Sequence, residues 1–358
     1  MKQKRIAIKI GSNVLTSKDG TLDIMRMSAL VDQLATLHKS GIQLVVISSG
    51  AVASGRSELH INKKLDSVEQ RQLFSAVGQA KLINRYYELF REHNLLVGQV
   101  LTTKEDFGTR RHYLNQQNCM RVMLENSVIP IVNENDTVSV SELMFTDNDE
   151  LSGTIASMMN VQTLIILSNV DGIYDGSPDD KNSKIIRTIS KEIDISTFIQ
   201  TSKSTFGRGG MLTKTTIARK IAEEGIEVII ANGTRNNILI DLINQPERTI
   251  CTRFIPSKTS VSSIKKWIAH SEGFAKGALY INANAEKMLC GTQAISLLPI
   301  GVERIDGDFE KDDIVQIIGA KNKILGVGKV QVDSSKARNL IGQKGQKPLI
   351  HYDYLYLE

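Results

Sequence analysis

Short apolar runs alternate with helical patterns through about the first 250 residues, and this alternation limits the possible folds more than any other feature. The runs are rich in Val, Ile and Leu, as is typical of strands that are covered on both faces. Strands are predicted at Arg5–Ile10, Gln43–Ser48, Leu95–Leu101, Val128–Val132, Thr163–Ser168 and Glu227–Ala231. Helical periodicity lies between them, at Met25–His38, Leu73–Phe90 and Leu151–Met159. The alternation predicts an α/β domain with a mainly parallel open sheet and helices on both faces.

The pattern changes after about residue 255, where the apolar runs become shorter and turns become more frequent. A polar, Ser-rich stretch begins there, and residues 256–272 are predicted to be a linker. Short runs follow at Ala278–Ile281, Ser296–Pro299, Asp313–Ile318, Ile324–Val332 and Leu349–Leu357. Because 358 residues exceed the usual size of one domain, we expect two domains. They are residues 1–255 and a small β-rich domain at residues 273–358.

The composition excludes disordered, collagen-like and coiled-coil chains. A hydrophobic share of 41% with 23% charged residues is ordinary for globular chains, and a net charge of +5 is too dilute to require a nucleic-acid partner. The three cysteines lie far apart and fit neither a disulfide framework nor a zinc knuckle, so a cytoplasmic protein is expected. No apolar run approaches the roughly 20 residues that cross a bilayer, so no membrane association is expected.

Polar and glycine-rich segments follow the predicted strands at their carboxyl ends, where open α/β folds bind ligands. These segments are Lys9–Asn13, Ser48–Ala51, Asn133–Thr137, Asp147–Glu150, Ser168–Tyr174 and Phe206–Lys214. Glycine turns expose backbone N–H groups that bind phosphate, and the segments also contain two lysines and two carboxylate clusters. Taken alone, each segment could instead be a helix cap, a turn or a solvated lysine.

Motifs of several other enzyme classes are missing. The sequence contains no G-x-x-x-x-G-K-[ST] loop, no G-x-G-x-x-G opening on a strand and no H-E-x-x-H. Cations, backbone donors and carboxylates remain as the available groups. This combination favours phosphoryl transfer, because the charge on the transferred group must be neutralised by donors and cations around it.

Six motifs together resemble the amino-acid kinase superfamily over nearly all of the chain. They are Lys9-Ile10-Gly11-Ser12, Ser48-Ser49-Gly50-Ala51, Val77-Gly78-Gln79, Asn133-Glu134-Asn135-Asp136, Asp147-Asn148-Asp149 and Gly209-Gly210-Met211-Leu212-Thr213-Lys214. The C-terminal part resembles the PUA domain, a small β-barrel common in RNA-modifying enzymes, at Ser296–Gly301, Gly307–Phe309 and Gly326–Gly328. Within the superfamily, the kinases that phosphorylate glutamate in proline biosynthesis combine both domains, whereas acetylglutamate and uridylate kinases lack the second.

The resemblance implies a role for each matching residue. Lys9 and Lys214 would stabilise the phosphoryl group in flight, and Asp149 would hold both lysines in place. The residues implied for glutamate binding are Ser49, Asp136 and Asn148. Those implied for ATP binding are Lys9, Ser168, Asn169, Arg208, Gly209, Gly210, Met211, Leu212, Thr213 and Lys214. Two positions depart from the family pattern: Ser168-Asn169 replaces a frequent Thr-Asp, and Met144 replaces a frequent lysine.

The resemblance also implies cofactors and partners. ATP would enter with Mg²⁺ held mostly by its phosphates and water, so no dedicated metal site in the protein is expected. Also implied are L-glutamate as substrate, feedback inhibition by proline, a homodimer or homotetramer, and handover of the labile product to glutamate 5-phosphate reductase.

Two alternatives stay open at this point: an acetylglutamate kinase, and an RNA-binding protein that works through the PUA-like part. For the RNA-binding alternative, residues 314–358 contain seven Lys or Arg and three acidic residues. Such a modest excess of positive charge is more typical of a solvated face than of an RNA groove.

Overall fold

The structure is a computed structural model of the chain, and it describes residues 4–59, 65–139, 148–177, 180, 182–191, 211–258, 263–271, 274–291 and 295–357. The chain divides into two compact units. The first unit contains Met1–Lys104 and Gln116–Ser260, and the second contains Glu105–Asn115 and Val261–Glu358. Each unit is built on a sheet of its own.

The first unit contains an eight-stranded sheet. Its strands are β1 (Arg5–Ile10), β2 (Gln43–Ser48), β3 (Leu96–Thr102), β4 (Val128–Glu134), β5 (Thr163–Ser168), β6 (Thr188–Ile189), β7 (Glu227–Asn232) and β8 (Thr252–Phe254). Their order across the sheet is β3-β4-β2-β1-β5-β7-β8-β6. The first six strands in this order, β3, β4, β2, β1, β5 and β7, are parallel to one another. Strand β8 runs antiparallel to β7 and parallel to β6. The predicted mainly parallel sheet is confirmed; β6 and β8 were not predicted, because strands of two or three residues show no readable period.

Among the described residues up to 250, the α-helices are α1 (Ser12–Leu15), α2 (Ile24–Lys39), α3 (Ala51–Arg56), α4 (Ser67–Glu92), α5 (Arg110–Glu125), α6 (Asn148–Met158), α7 (Met211–Glu223) and α8 (Ile238–Asn244). The three helices predicted from periodicity are confirmed, as α2, α4 and α6. Within the described residues, no helix combines the length and apolar character that a membrane crossing requires.

Helix α4 begins six residues before its predicted start at Leu73, because a capping box defines its first turn. The Asp66 carboxylate accepts hydrogen bonds from the backbone N–H groups of Val68 and Glu69, both at 2.8 Å. The Glu69 side chain in turn accepts from the N–H of Asp66 at 3.0 Å. This reciprocal pair satisfies donors that a helix start otherwise leaves unpaired. The first turn therefore lies in a polar segment where apolar periodicity gives no signal.

The alternation of side chains along β1 assigns its residues to two different faces of the sheet. Ile6, Ile8 and Ile10 are fully buried in an apolar core to which α2, α4 and α8 also contribute. Lys9 has the opposite orientation, on the side where α6 packs against β1. Helices therefore cover both faces of this sheet, as predicted. The period of two explains how a lysine fits within a strand whose neighbouring residues form the core.

Two glycines allow α3 and α4 to cross in close contact. A Cβ atom on Gly78 would lie 1.8 Å from the carbonyl oxygen of Ala51, and one on Gly55 would lie 1.9 Å from that of Phe74. Any side chain at either position would push the helices apart. The crossing holds α4 against the segment that follows β2, so both elements present residues at the carboxyl edge of the sheet.

The second unit contains a five-stranded mixed sheet. Its strands are β9 (Gly277–Ile281), β10 (Val302–Gly307), β11 (Ile314–Ile318), β12 (Ile324–Lys329) and β13 (Leu355–Leu357), in the order β10-β9-β11-β12-β13. Its helices after residue 260 are α9 (Ser263–Ala269), α10 (Ala283–Leu289) and α11 (Ser334–Leu340). An apolar cluster from these strands and their loops forms its core. The predicted β-rich character is confirmed.

Two strand predictions in this unit are wrong. Ser296–Pro299 is not a strand: Leu297 forms only an isolated bridge with Ile350, and Pro299 begins a 3-10 turn. Leu349–Leu357 is interrupted by another 3-10 turn at residues 352–354, so only β13 remains. In both cases apolar residues are buried without forming the hydrogen bonds of a β-sheet. Hydrophobicity alone does not distinguish such segments from strands.

Helix α9, in the stretch predicted as a linker, packs on the segment Glu105–Asn115. The indole Nε1 of Trp267 donates a hydrogen bond to the carbonyl oxygen of Phe107 at 3.0 Å. The Arg110 guanidinium lies over the rings of Tyr113 and Trp267, at 5.2 and 5.6 Å from their centroids. These contacts explain why a short segment from the first third of the sequence belongs to the second unit.

Candidate active site

A buried ion-pair cluster lies at the carboxyl ends of the central strands. Lys9 Nζ is 2.6 Å from Asp149 Oδ1, and Lys214 Nζ is 2.9 Å from Asp149 Oδ2. The Asp149 side chain is fully buried, and Lys9 is 5% exposed. One carboxylate therefore holds two ammonium groups, and the three residues implied for catalysis lie together.

Three elements bring this cluster together. Lys9 is near the end of β1, Asp149 is in the first turn of α6, and Lys214 is in the first turn of α7. Helices α6 and α7 pack closely, because a Cβ on Gly153 would lie only 2.9 Å from Ile217 Cγ2. A helix N-terminus favours an anion such as Asp149 and disfavours a cation such as Lys214. The contact with Asp149 offsets that disadvantage.

The charge state of the cluster follows from two opposing effects on Asp149. Burial by itself would raise the pKa of the Asp149 carboxyl, but the attraction of Lys9 and Lys214 outweighs it and holds the pKa below its ordinary value. Asp149 is therefore ionised at neutral pH. Two ammonium groups against one carboxylate leave one positive charge, which attracts an anionic group.

The residues implied for glutamate binding belong to two connected networks. In the first, Asn148 Nδ2 donates to Ser49 Oγ at 2.9 Å and to Asn133 Oδ1 at 3.1 Å. Asn133 Nδ2 donates to Gln79 Oε1 at 2.8 Å. Gln79 reaches this network because α4 packs closely against α3 at the preceding residue, Gly78. Ser49 and Asn148 are thus neighbours although 99 positions separate them.

In the second network, Asp136 is held by two side chains of α4. Arg71 Nε donates to Asp136 Oδ1 at 2.7 Å, and Ser75 Oγ donates to Asp136 Oδ2 at 3.1 Å. Arg71 Nη2 contacts the same Asp136 oxygen and lies 3.1 Å from Glu134 Oε2. The backbone N–H of Glu134 donates to Asn133 Oδ1 at 2.9 Å, so the two networks are joined.

Part of the implied nucleotide site lies on the next strand of the sheet. The N–H of Gly11 donates to the carbonyl oxygen of Leu167 at 3.2 Å, so the carboxyl ends of β1 and β5 are side by side. Ser168 ends β5 and is nearly buried, and Asn169 after it is exposed. The segment Met211–Lys214 opens α7. Other implied or quoted positions lie outside the described residues: Arg208, Gly209, Gly210, Met144 and Asp147.

The sequence did not identify several charged and polar residues of this edge. Arg71 and Ser75 hold Asp136, and Lys104 Nζ lies 3.1 Å from Glu150 Oε1, next to Asp149. A signal existed for the first two, because residues 71, 75, 78, 79 and 82 share one face of a helix. Among the described residues, no group of three His, Cys, Asp or Glu side chains is suited to a metal ion.

Comparisons with known proteins agree with this geometry. The amino acid kinase family matches residues 4–232, and the PUA domain matches residues 277–352. A glutamate 5-kinase of Bacteroides thetaiotaomicron is 69% identical and covers 100% of both chains. A glutamate 5-kinase of Chlorobaculum tepidum is 44% identical over 99% of this chain and 97% of its own. Among solved structures, an isopentenyl phosphate kinase has the same fold at 18% identity, with a TM-score of 0.50 over 70% of this chain and 99% of its own.

These similarities confirm the resemblance drawn from the motifs. The family match covers more than half of the chain, and both relatives extend through the second unit as well as the first. The kinase-like motif residues Lys9, Ser49, Asn133, Asn148 and Asp149 lie together at one edge of the first unit's sheet, and the PUA-like stretches lie in the second unit. The chain therefore belongs to the amino acid kinase family and, within it, to the glutamate 5-kinases.

Proposed function

We propose that the chain transfers the γ-phosphoryl group of ATP to the γ-carboxylate of L-glutamate. The product is L-glutamyl 5-phosphate, in the first step of proline biosynthesis. The observation that carries the proposal is the placement of Lys9 and Lys214 on opposite oxygens of the buried Asp149. Two fixed cations reduce the repulsion between the carboxylate of glutamate and the phosphates of ATP. The full-length similarity to glutamate 5-kinases supports glutamate as the substrate.

At the reacting end, a γ-carboxylate oxygen of glutamate attacks the γ-phosphorus of ATP. A bond forms between them as the bond to the oxygen that bridges to ADP breaks, and ADP leaves with that electron pair. The carboxylate is already ionised at neutral pH, since its ordinary pKa is about 4.3, so no general base is needed. Lys9 and Lys214 neutralise charge on the transferred group, and Asp149 keeps both ammonium groups in place before the reaction begins.

For the nucleotide, we propose Ser168, Asn169 and Met211–Lys214 as binding residues, together with Arg208, Gly209 and Gly210. The N-terminus of α7 provides backbone N–H groups, which favour phosphate. Mg²⁺ would enter with ATP and supply further neutralisation of phosphate charge. Because both Asp149 oxygens already contact lysines, the described residues do not form a cage for the ion, and the phosphates and water would hold it.

For glutamate, we propose that Ser49, Asn148 and Asp136 bind the amino-acid part. Asp136 carries the charge that an ammonium group requires, and Ser49 and Asn148 provide neutral hydrogen-bonding groups. Proline also has an ammonium group and a carboxylate. We therefore propose that proline inhibits by occupying the same residues.

The remaining implied features are part of the same proposal. Residues 1–255 would be the catalytic domain, residues 256–272 the linker and residues 273–358 the PUA-like domain. The chain would work in the cytoplasm as a homodimer or homotetramer, and glutamate 5-phosphate reductase would receive the acyl phosphate. Strand β3 supports self-association, because it is an edge strand on which Leu96 is 58% exposed.

The test compares L-glutamate with N-acetylglutamate as acceptors for the purified chain with ATP and Mg²⁺. We expect glutamate-dependent ADP release and trapping of the acyl phosphate by hydroxylamine as a hydroxamate. N-acetylglutamate should give neither, because its blocked nitrogen carries no positive charge for Asp136. Turnover of N-acetylglutamate in preference to glutamate would refute the proposed substrate.

A further inference from the structure

We propose that Arg71 and Ser75 are positioning residues, which hold the Asp136 carboxylate in the orientation that binds the ammonium group of the substrate. This inference rests on the proposed function, since it takes glutamate as the substrate. It assigns to the start of α4 a part in amino-acid recognition.

The first step of the argument is the geometry around Asp136. Arg71 contacts Oδ1 through both Nε and Nη2, and Ser75 Oγ donates to Oδ2. Both carboxylate oxygens are therefore held by residues one helical turn apart. A carboxylate oxygen can accept two hydrogen bonds, so Oδ2, which accepts from Ser75, retains the capacity to accept from an ammonium group.

The second step concerns charge. Asp136 and Glu134 are 8% and 3% exposed, and one guanidinium contacts both carboxylates. Two carboxylates that share a buried site without a cation repel each other. Arg71 cancels one of the two negative charges and leaves one for the substrate.

The third step concerns rigidity. Arg71 and Ser75 lie on α4, which has a capping box at its start and packs closely against α3 at Gly78, about one turn after Ser75. Donors on such an element hold a partner more accurately than donors on a loop. The orientation of Asp136, which follows the end of β4, is thereby tied to α4. Loss of Arg71 should affect the binding of glutamate rather than the transfer step at Lys9 and Lys214.

The experiment uses the full-length enzyme with Arg71→Ala, Arg71→Lys and Ser75→Ala. We expect Arg71→Ala to raise KM for glutamate about 10- to 100-fold, as for the loss of a charge-assisted hydrogen bond. KM for ATP and kcat should stay within a few-fold. Arg71→Lys keeps the positive charge but not the forked guanidinium, so its KM for glutamate should lie between those of wild type and Arg71→Ala. Ser75→Ala should raise KM for glutamate a few-fold.

Arg85→Ala is the matched control. Arg85 lies on the same helix in an exposed ion pair with Glu88 at 2.8 Å, and its loss should leave KM for glutamate unchanged. Circular dichroism establishes that each variant is folded. If Arg71→Ala does not fold, Arg71→Lys and Ser75→Ala still test the inference, because unchanged KM values in both would overturn it.

Two glutamate analogues distinguish positioning from direct contact. Glutarate lacks the ammonium group, and 4-aminobutyrate lacks the α-carboxylate. As inhibitors of glutamate phosphorylation, 4-aminobutyrate should weaken on Arg71→Ala by about the same factor as glutamate, and glutarate should change little. A weakened glutarate with unchanged 4-aminobutyrate would mean that Arg71 binds the α-carboxylate itself, which would overturn the positioning role. A wild-type enzyme inactive on glutamate would instead refute the proposed function.

Discussion

The change Asp149→Asn removes the anion shared by two lysines and leaves the size of the side chain almost unchanged. In the folded chain Lys9 and Lys214 would then face each other without a carboxylate, in a site where their side chains are 7% and 13% exposed. Breaking a buried ion pair by removing one partner costs about 3–5 kcal/mol. Because this carboxylate serves two lysines, we expect a loss near the upper end, about 5 kcal/mol.

The same substitution should lower kcat about 10²- to 10³-fold, as for the loss of a preorganised charge stabiliser. Without Asp149 the two ammonium groups repel each other, and neither is held where the phosphoryl group is transferred. KM for glutamate should change only a few-fold, since the proposed glutamate-binding side chains are not removed. Steady-state kinetics with glutamate and ATP measure both quantities.

The stability difference between wild type and Asp149→Asn should also depend on pH. The pKa of the Asp149 carboxyl is lowered in the folded chain, so its stabilising contribution is complete above the unfolded value of about 3.9. The contribution is lost as the pH falls through the lowered pKa of the folded state. Since asparagine does not titrate, the difference should be constant at neutral pH and should shrink only in acid.

Urea unfolding followed by circular dichroism provides the measurement at several pH values. Glu58→Gln is the control, because Glu58 forms an ion pair with Lys81 in which both partners are substantially exposed. Its loss should cost about 0–1 kcal/mol. If Asp149→Asn unfolds at the same urea concentration as wild type, with kcat within a few-fold, the shared ion pair is neither structural nor catalytic and the reasoning fails.

Three further variants test other parts of the site. Lys214→Ala should lower kcat about 10²- to 10³-fold with little change in KM for glutamate, and a kcat within a few-fold of wild type would contradict its role. Asp136→Asn should raise KM for glutamate and weaken proline inhibition while KM for ATP is unchanged; coinciding proline curves would argue against a shared site. Gly78→Ala should lower the free energy of unfolding in urea by at least about 1–3 kcal/mol, because the added Cβ would overlap the carbonyl oxygen of Ala51. The control Ala80→Ser, on the exposed side of α4, should leave it unchanged.

Local patterns in the sequence were sufficient for the sheet and for much of the site. Strands such as β1 and β5 are apolar over most of their length, because helices cover both faces of the sheet, and this is visible in the residues themselves. Parallel strands place their carboxyl ends at one edge, so the polar segments that follow them were expected to meet. Lys9 and Ser49 were found in this way.

Local patterns did not indicate which charges pair. Lys9 and Asp149 are 140 positions apart, and it was the family resemblance, not any local period, that implied one carboxylate holding two lysines; the contacts themselves come from the tertiary structure. The assignment of Arg71 to Asp136 likewise depends on how α4 crosses α3, which follows from the absence of side chains at two glycines. Before that crossing is known, an arginine near a helix start is typical of a solvated position. Hydrophobic patterning is local and therefore predicts elements, whereas ion pairs depend on distances that exist only after the elements have packed.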